Sequence, residues 1–418
     1  MSDIAVPKKV TNTTITKVAL IFTVWVFSLF CGTLSTFIMQ GSNYFHASLT
    51  SAGTLESYQN FTVIGFSFIA FSFILRLGYR KSIITILSIM VLLSVITPII
   101  DSYWIVKLFL IGTGIVLVGM KVCIYASAAI ISKEENEQAG LLSLLEATWM
   151  IAGMAGMWII AFFMSSSTNH WLDFLYLYAV IGIINIIVWM FVRIDESALE
   201  KEKAAPVKEQ IKDILNICKS KLVIAAIVMI FIGSVLEMGF SAWLPGFYQD
   251  ALHLSPALSL KIASFGGLAA FAGRIVAFVL LKYMKWHKML LCYYVVGFVF
   301  LVIVLFSIHA SGHEITDLSE VSIMSIILPA FGFFYAPTTP VLSSSILSRT
   351  SKEKQALVMT VVTIVFALAS SATARGIGYM MDSLGGVQGF KVSTIIPLII
   401  LIILVIPYYK FLHKTKVD

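Results

Sequence analysis

The sequence predicts an all-α integral membrane protein with twelve transmembrane helices arranged as two sets of six. Composition is the first reason: 59% of the 418 residues are hydrophobic and only 12% are charged, against a roughly half-apolar, quarter-charged mix in soluble domains. The second is a series of apolar stretches such as "VALIFTVWVFSLFCGTLSTFIM" (18 to 39) and "IIPLIILIILVIPYY" (395 to 409), set against a hydrocarbon core that about 20 helical residues cross. The third is one charged segment near the middle of the chain. Backbone polar groups cannot be left unpaired in lipid, so each stretch is expected to be a helix.

In order, the spans fall at about 18 to 39, 58 to 75, 82 to 100, 104 to 131, 139 to 164, 171 to 192, 222 to 248, 258 to 281, 289 to 309, 321 to 348, 355 to 381 and 392 to 411. The first is longer than the core of a signal peptide, and no small-residue cleavage site follows it before the next apolar run, so it is expected to remain in the mature protein. Of the 29 Lys and Arg residues, 23 fall at the two ends, in the loops after even-numbered spans and in the central segment. Only Lys107, Lys261 and Lys391 lie on the opposite loops. By the positive-inside rule both termini are cytoplasmic. The net charge of +7 therefore reflects membrane orientation, and no nucleic-acid partner is expected.

Cys31, Cys123, Cys218 and Cys292 show no metal-ligand spacing and no paired framework. Walker-type glycine loops, HExxH and GxSxG are absent from the sequence, which removes support for ATP-driven transport and for the common hydrolytic chemistries. An enzyme is not expected, nor a metal or other cofactor.

The central segment "RIDESALEKEKAAPVKEQIKDILNICKSK" has helical character, and most other connections are short. Six helices, a cytoplasmic linker and six more resemble the layout of the major facilitator superfamily. That resemblance implies an N-terminal six-helix bundle (1–192), a linker (193–221) and a C-terminal six-helix bundle (222–418), with a substrate site between the bundles near the midplane. Two cytoplasmic loops strengthen it. "RLGYRKSIITIL" (76 to 87) holds Gly78, Arg80 and Lys81, and "FAGRIVAFVLLKYMKWHKML" (271 to 290) holds Arg274. In major facilitators a glycine and basic residues at these places latch the inside-closed state, so the resemblance implies a gating role for these four. Positive-inside anchoring is the alternative, and it accounts least well for Arg274.

"GSVLEMGFSAWLPGFY" (233 to 248), "AGRIVAFVLL" and "FGFFYAPTTPVLSSSIL" (331 to 347) together resemble the fucose/proton symporter branch, with an acid then Gly and an aromatic in helix 7. "GLLSLLEATWMIAGMAG" (140 to 156) resembles the start of that branch's helix 5. The departures are equally informative. The carboxylates that the branch carries in helices 1 and 4 fall near Ser35 and at Ile124 here, so both acids are absent. Fucose itself is a poor fit.

Five ionisable side chains stand inside spans: Lys121, Glu146, Glu237, Arg274 and Arg375. Such groups are costly in a bilayer and normally face a cavity or a partner. Lys121 lies about 18 Å from the cytoplasmic end of span 4, and Glu146 about 15 Å into the neighbouring span 5. The two can form an ion pair, or Lys121 can face the cavity and meet a substrate carboxylate, phosphate or hydroxyl. Glu237, which matches the branch's helix 7 acid, is the first choice for proton coupling, and Glu146 the second. Arg375, about seven residues before Asp382 in span 11, either guides an anion or pairs at the outer mouth. Tyr125, Trp149, Tyr335, Thr338 and Thr339 are candidate substrate contacts, each with packing as its alternative. Pro337 and Pro340 break helix 10 locally, and backbone freed at membrane depth is tolerated where it faces a cavity.

These readings converge on a secondary active transporter. It is expected to act as a monomer in the cytoplasmic (inner) membrane and to move a sugar or related small polar solute, coupled to protons. An acidic solute, or efflux of an amphipathic compound, is the alternative. A non-transporting membrane receptor is the minor one.

Overall fold

The computed structural model describes residues 12–132, 135–165, 170–194, 207–309, 311–349 and 352–414. Among these there is no strand, only an isolated bridge between Leu254 and Ile315, and the architecture is two bundles of six long helices. Helix α1 spans Thr13–Cys31 and Leu34–Asn43, with a break at Gly32 and Thr33. Helix α2 is Leu55–Leu77 and α3 is Tyr79–Ile100. A single residue, Gly78, separates them at φ 79°, a left-handed conformation that a Cβ would disfavour. Helix α4 runs Tyr103–Gly119, passes through a π-helical turn at Met120–Ile124, and ends as Tyr125–Ile131. Then come α5 (Glu135–Ser165) and α6 (Phe174–Phe191).

The second bundle holds α7 (Lys221–Gly246, continued by a π-helical turn Phe247–Ala251), α8 (Pro256–Leu280) and α9 (Trp286–Ser307). Helix α10 is assembled from Ile323–Ile327, Leu328–Phe331, Gly332–Tyr335 and Thr338–Leu347. Its interruptions follow from Pro329, Pro337 and Pro340, each of which removes a backbone donor. Helices α11 (Lys352–Leu384) and α12 (Gly386–Lys414) complete it. Every span expected from the sequence has its helix. Eleven of the helical segments are long and apolar enough to cross a membrane, and α2, 23 residues long, takes the second place in the series.

Large apolar side chains such as Phe191, Phe278 and Ile303 are exposed on the outer surface, as expected of a protein whose surrounding solvent is lipid. Within the first bundle α1 packs on α5 and α6, α2 on α4, and α3 on α6. In the second, α7 packs on α11 and α12, α8 on α10, and α9 on α12. The bundles meet where α5 lies on α8, α2 on α11, and the outer piece of α1 on α7. Between them the linker carries a helix, Val207–Ile217, that touches both α2 and α11. The side of the molecule from which this linker leaves is called the linker face below, and the other the far face.

Candidate functional site

The two prolines of α10 organise one wall of the site. In a regular helix the Phe333 and Ala336 carbonyls would accept from residues 337 and 340, but proline has no N–H to give. Helix α8 takes up both positions. Gly273 lies so close to the Phe333 carbonyl that a Cβ there would overlap it, and the Arg274 Nε donates to the Ala336 oxygen at 3.2 Å. The carbonyl at Ala336 therefore does not open onto empty cavity as the sequence implied; a guanidinium covers it. The same guanidinium reaches Glu237 of α7, Nη2 to Oε1 at 3.1 Å, and the Thr339 hydroxyl donates to the other carboxylate oxygen at 2.6 Å. Glu237 is buried, while the Arg274 side chain is 41% exposed. Three helices are thus tied at one carboxylate by a guanidinium and a hydroxyl, each a charge-assisted contact.

This triad borders a cavity of about 340 Å³ between the bundles, at the small end of the usual range for small-molecule sites. Glu146 and Trp149 of α5 line it from the first bundle, and Glu237, Arg274 and Tyr335 from the second. Tyr335 is buried against Phe240 and Phe331 with its surface toward the cavity. The Trp149 carbonyl accepts from Ser28 at 2.6 Å, which pins α5 to α1 at that level. Glu146 is exposed to the cavity and accepts a short hydrogen bond from the Tyr125 phenol, one helical turn beyond position 121. The Lys121 backbone is part of the π-helical turn, while its side chain lies outside the described residues, so its pairing with Glu146 is left where the sequence left it. Methionines 150, 154, 157 and 238 also line the cavity. Sequence reading weighed charges and rings and passed over these, although their spacing on α5 places them on one face; thioethers make an adaptable apolar lining.

Other expected site residues lie elsewhere. Thr338 is buried against Gly233 of α7, away from the cavity. Arg375 is exposed and does not line the cavity. Nor does it pair with Asp382, whose carboxylate accepts from the Thr50 hydroxyl at 2.6 Å and from the Thr50 and Leu49 amides at 2.9 and 3.3 Å. Arg80 donates to the Trp189 and Met190 carbonyls, at 3.0 and 2.7 Å, and so ties α3 to the end of α6 within the first bundle. Lys81 is exposed.

The cavity is sealed toward the far face. The Trp158 indole donates to Ser264 at 3.0 Å across the α5–α8 contact. Above it, Asp250 at the end of α7 accepts from Asn43 at 2.9 Å and Ser42 at 3.5 Å of α1, and Asp382 holds the Leu49–Gly53 turn. Glu56 of α2 accepts a short bond from Ser370 of α11. Gly53 and Gly378 permit this approach, since a Cβ on either would overlap backbone of the opposite bundle. In the far-face loops the Tyr44 phenol donates to Asp101 at 2.6 Å. Burial, then the Asp101 carboxylate, push that phenol up to about 12, so it stays a donor throughout the physiological range. Of these carboxylates, Asp250 and Glu56 were not singled out from the sequence, because each stands at the end of a span, and Asp382 was weighed only as a partner for Arg375.

A bilayer-spanning bundle pair enclosing a largely apolar cavity, with charged side chains on its walls and a hydrogen-bonded seal on one side, has the architecture of a membrane carrier. Residues 18–374 match the Major Facilitator Superfamily, and the chain belongs to that family. A search of curated proteins returns no match. Solved structures with the same fold include a mutant form of the nucleoside transporter NupG (10% identity, 94% of this chain and 99% of that one covered, TM-score 0.75). A D-xylose–proton symporter also shares it (10% identity, 93% and 96% covered, TM-score 0.68), as does a variant of the E. coli fucose:proton symporter FucP (12% identity, 95% and 98% covered, TM-score 0.58). At these identities the likeness is one of fold.

Proposed function

We propose that this major facilitator moves a small hydroxylated solute, a sugar or related metabolite, across the cytoplasmic (inner) membrane by alternating access, with protons as the coupling ion. The observation that carries the reading is the cavity itself: two acids, a guanidinium, the Trp149 and Tyr335 rings and a methionine face surround one space between the bundles. Carboxylates and the guanidinium bond hydroxyls, and the rings and thioethers cover the apolar face of a ring-shaped solute. Glu237 is the coupling group: when it takes a proton, its attraction to Arg274 falls and the α7–α8–α10 triad loosens. Glu146, held by Tyr125, is the second protonatable group in the space. The symporters of similar fold are consistent with this reading.

Both termini are assigned to the cytoplasm by the distribution of Lys and Arg, which makes the linker face cytoplasmic and the sealed face external. The carrier works as a monomer of two bundles, residues 1–192 and 222–418, joined by the linker 193–221. Gly78, Arg80, Lys81 and Arg274 are assigned to gating. An acidic solute is the second reading; of Lys121 and Arg375, on which the sequence rested it, Lys121 carries it, because Arg375 does not line the cavity and Arg274 is already neutralised by Glu237. The test is flux into liposomes holding the purified protein, across a panel of sugars, sugar acids, nucleosides and amino acids with an imposed pH gradient. Uptake of a neutral hydroxylated solute is expected, and absence of flux for the whole panel overturns the reading.

A further inference from the structure

We propose that Glu56, outside the central cavity, is a proton-binding site of the far-face seal: its carboxyl is the neutral acid whenever α2 and α11 are packed, and loss of that proton opens the seal. The inference uses the transporter reading only in supposing that the far face opens at all. Glu56 is 2% exposed. Both of its donors, the Ser370 hydroxyl from the opposite bundle and the Asn60 amide at 3.5 Å, go to Oε1. The other oxygen, Oε2, is enclosed and has no hydrogen-bond partner among the described residues. An ionised carboxylate spreads its charge over both oxygens and seeks donors at each. The arrangement fits a neutral acid with its carbonyl at Oε1, because a lone O–H at Oε2 without an acceptor costs far less than a negative charge enclosed there.

Charges on the surrounding elements do not offset an anion there. The outer piece of α1 (Leu34–Asn43) and the Leu49–Gly53 turn carry no ionisable side chain. On α4, Lys107 sits over the Tyr58 and Tyr103 rings, 5.5 and 4.9 Å from their centroids. Lys121 lies further along α4 than Gly114, the position that packs against Gln59 and Thr62. On α11, Asp382 is held by Thr50 and Leu49, and Arg375 forms no ion pair among the described residues. Arg76 of α2, Arg80 and Lys81 of α3, and the charges of the linker helix, Lys208, Glu209, Lys212 and Asp213, lie at the opposite ends of the helices that reach α2.

Separation of α2 from α11 admits water to Glu56, and the acid then ionises: the O–H bond at Oε2 breaks and the proton passes to water on the far side. Closure needs the reverse step. Far-face closure is therefore linked to the uptake of one proton, and the open-to-closed ratio rises about tenfold per pH unit wherever the open-state acid is ionised. The site regulates the gate and is separate from the Glu237 triad, which lies on other helices.

Two measurements without substrate test this, so their failure leaves the transporter reading untouched. Infrared difference spectra at neutral pH between the wild type and Glu56→Gln should lose one protonated-carboxyl stretch, and Ser370→Ala should shift that band upward. No band assignable to Glu56, or no shift, overturns the proposal. Spin-label distances should be measured between Trp104→Cys and Leu384→Cys, both exposed, with the four native cysteines replaced. The far-face-open population should rise with pH in the otherwise wild-type chain and stay low at every pH with Glu56→Gln. The same pH response in both, or none in either, overturns it.

Discussion

Arg274 of α8 holds the buried carboxylate of Glu237 on α7 at 3.1 Å, and it reaches that position by occupying a backbone carbonyl that Pro340 leaves free on α10. One arginine thus reads out the conformation of three helices of the second bundle.

Removing the arginine strands a buried carboxylate. Arg274→Gln should lower thermal stability by about 2 kcal/mol, less than the loss for a fully enclosed pair because the guanidinium is partly solvated. Glu237→Gln combined with Arg274→Gln should recover part of it. A thermal-unfolding double-mutant cycle checks this, and strict additivity of the two single losses would show that the residues are not coupled.

The far-face seal rests on a few hydrogen bonds between acids and neutral partners. Thr50→Val removes one bond to Asp382, worth about 1 kcal/mol, which is about fivefold in the open population. Labelling of Ser241→Cys, which lines the cavity and is no part of the seal, by an impermeant maleimide added from the far side should speed up accordingly in a chain with the native cysteines replaced. Unchanged labelling would place the seal elsewhere.

The Leu49–Gly53 turn and α11 approach each other at glycines. Gly53→Leu should force them apart at a cost of about 1 to 3 kcal/mol, as overpacking does, because its side chain would meet the Ala374 carbonyl. The same labelling should then be fast, and transport should fall. Slow labelling with normal transport would contradict the close contact.

Trp149 faces the cavity beside Glu146. Trp149→Ala should raise KM for a neutral hydroxylated solute about tenfold, in line with the loss of an aromatic contact, with a smaller change in maximal rate. Tyr125→Phe, which frees Glu146 from its phenol, should change the pH profile of uptake more than KM.

Much of the fold was legible because lipid imposes simple rules: a span must be apolar for about 20 residues, and that pattern located each of the twelve helices, with boundaries off by a few residues. Charge pairing was not legible, since Glu237 and Arg274 are 37 residues apart and nothing local names their partner. Glu56 was missed because "TLESYQNF" read as loop before a span set to begin at 58. Its signal was present: Glu56, Gln59 and Asn60 share one helical face, and all three are buried. The π-helical turn at Met120–Ile124 follows from no residue type and could be found only in the structure.

The proposed coupling of solute movement to protons at Glu237 is separable from solute translocation itself by comparing counterflow with gradient-driven uptake in liposomes. Glu237→Gln should abolish accumulation driven by a pH gradient while solute exchange without a gradient continues. Gradient-driven accumulation at the wild-type level in Glu237→Gln would contradict it.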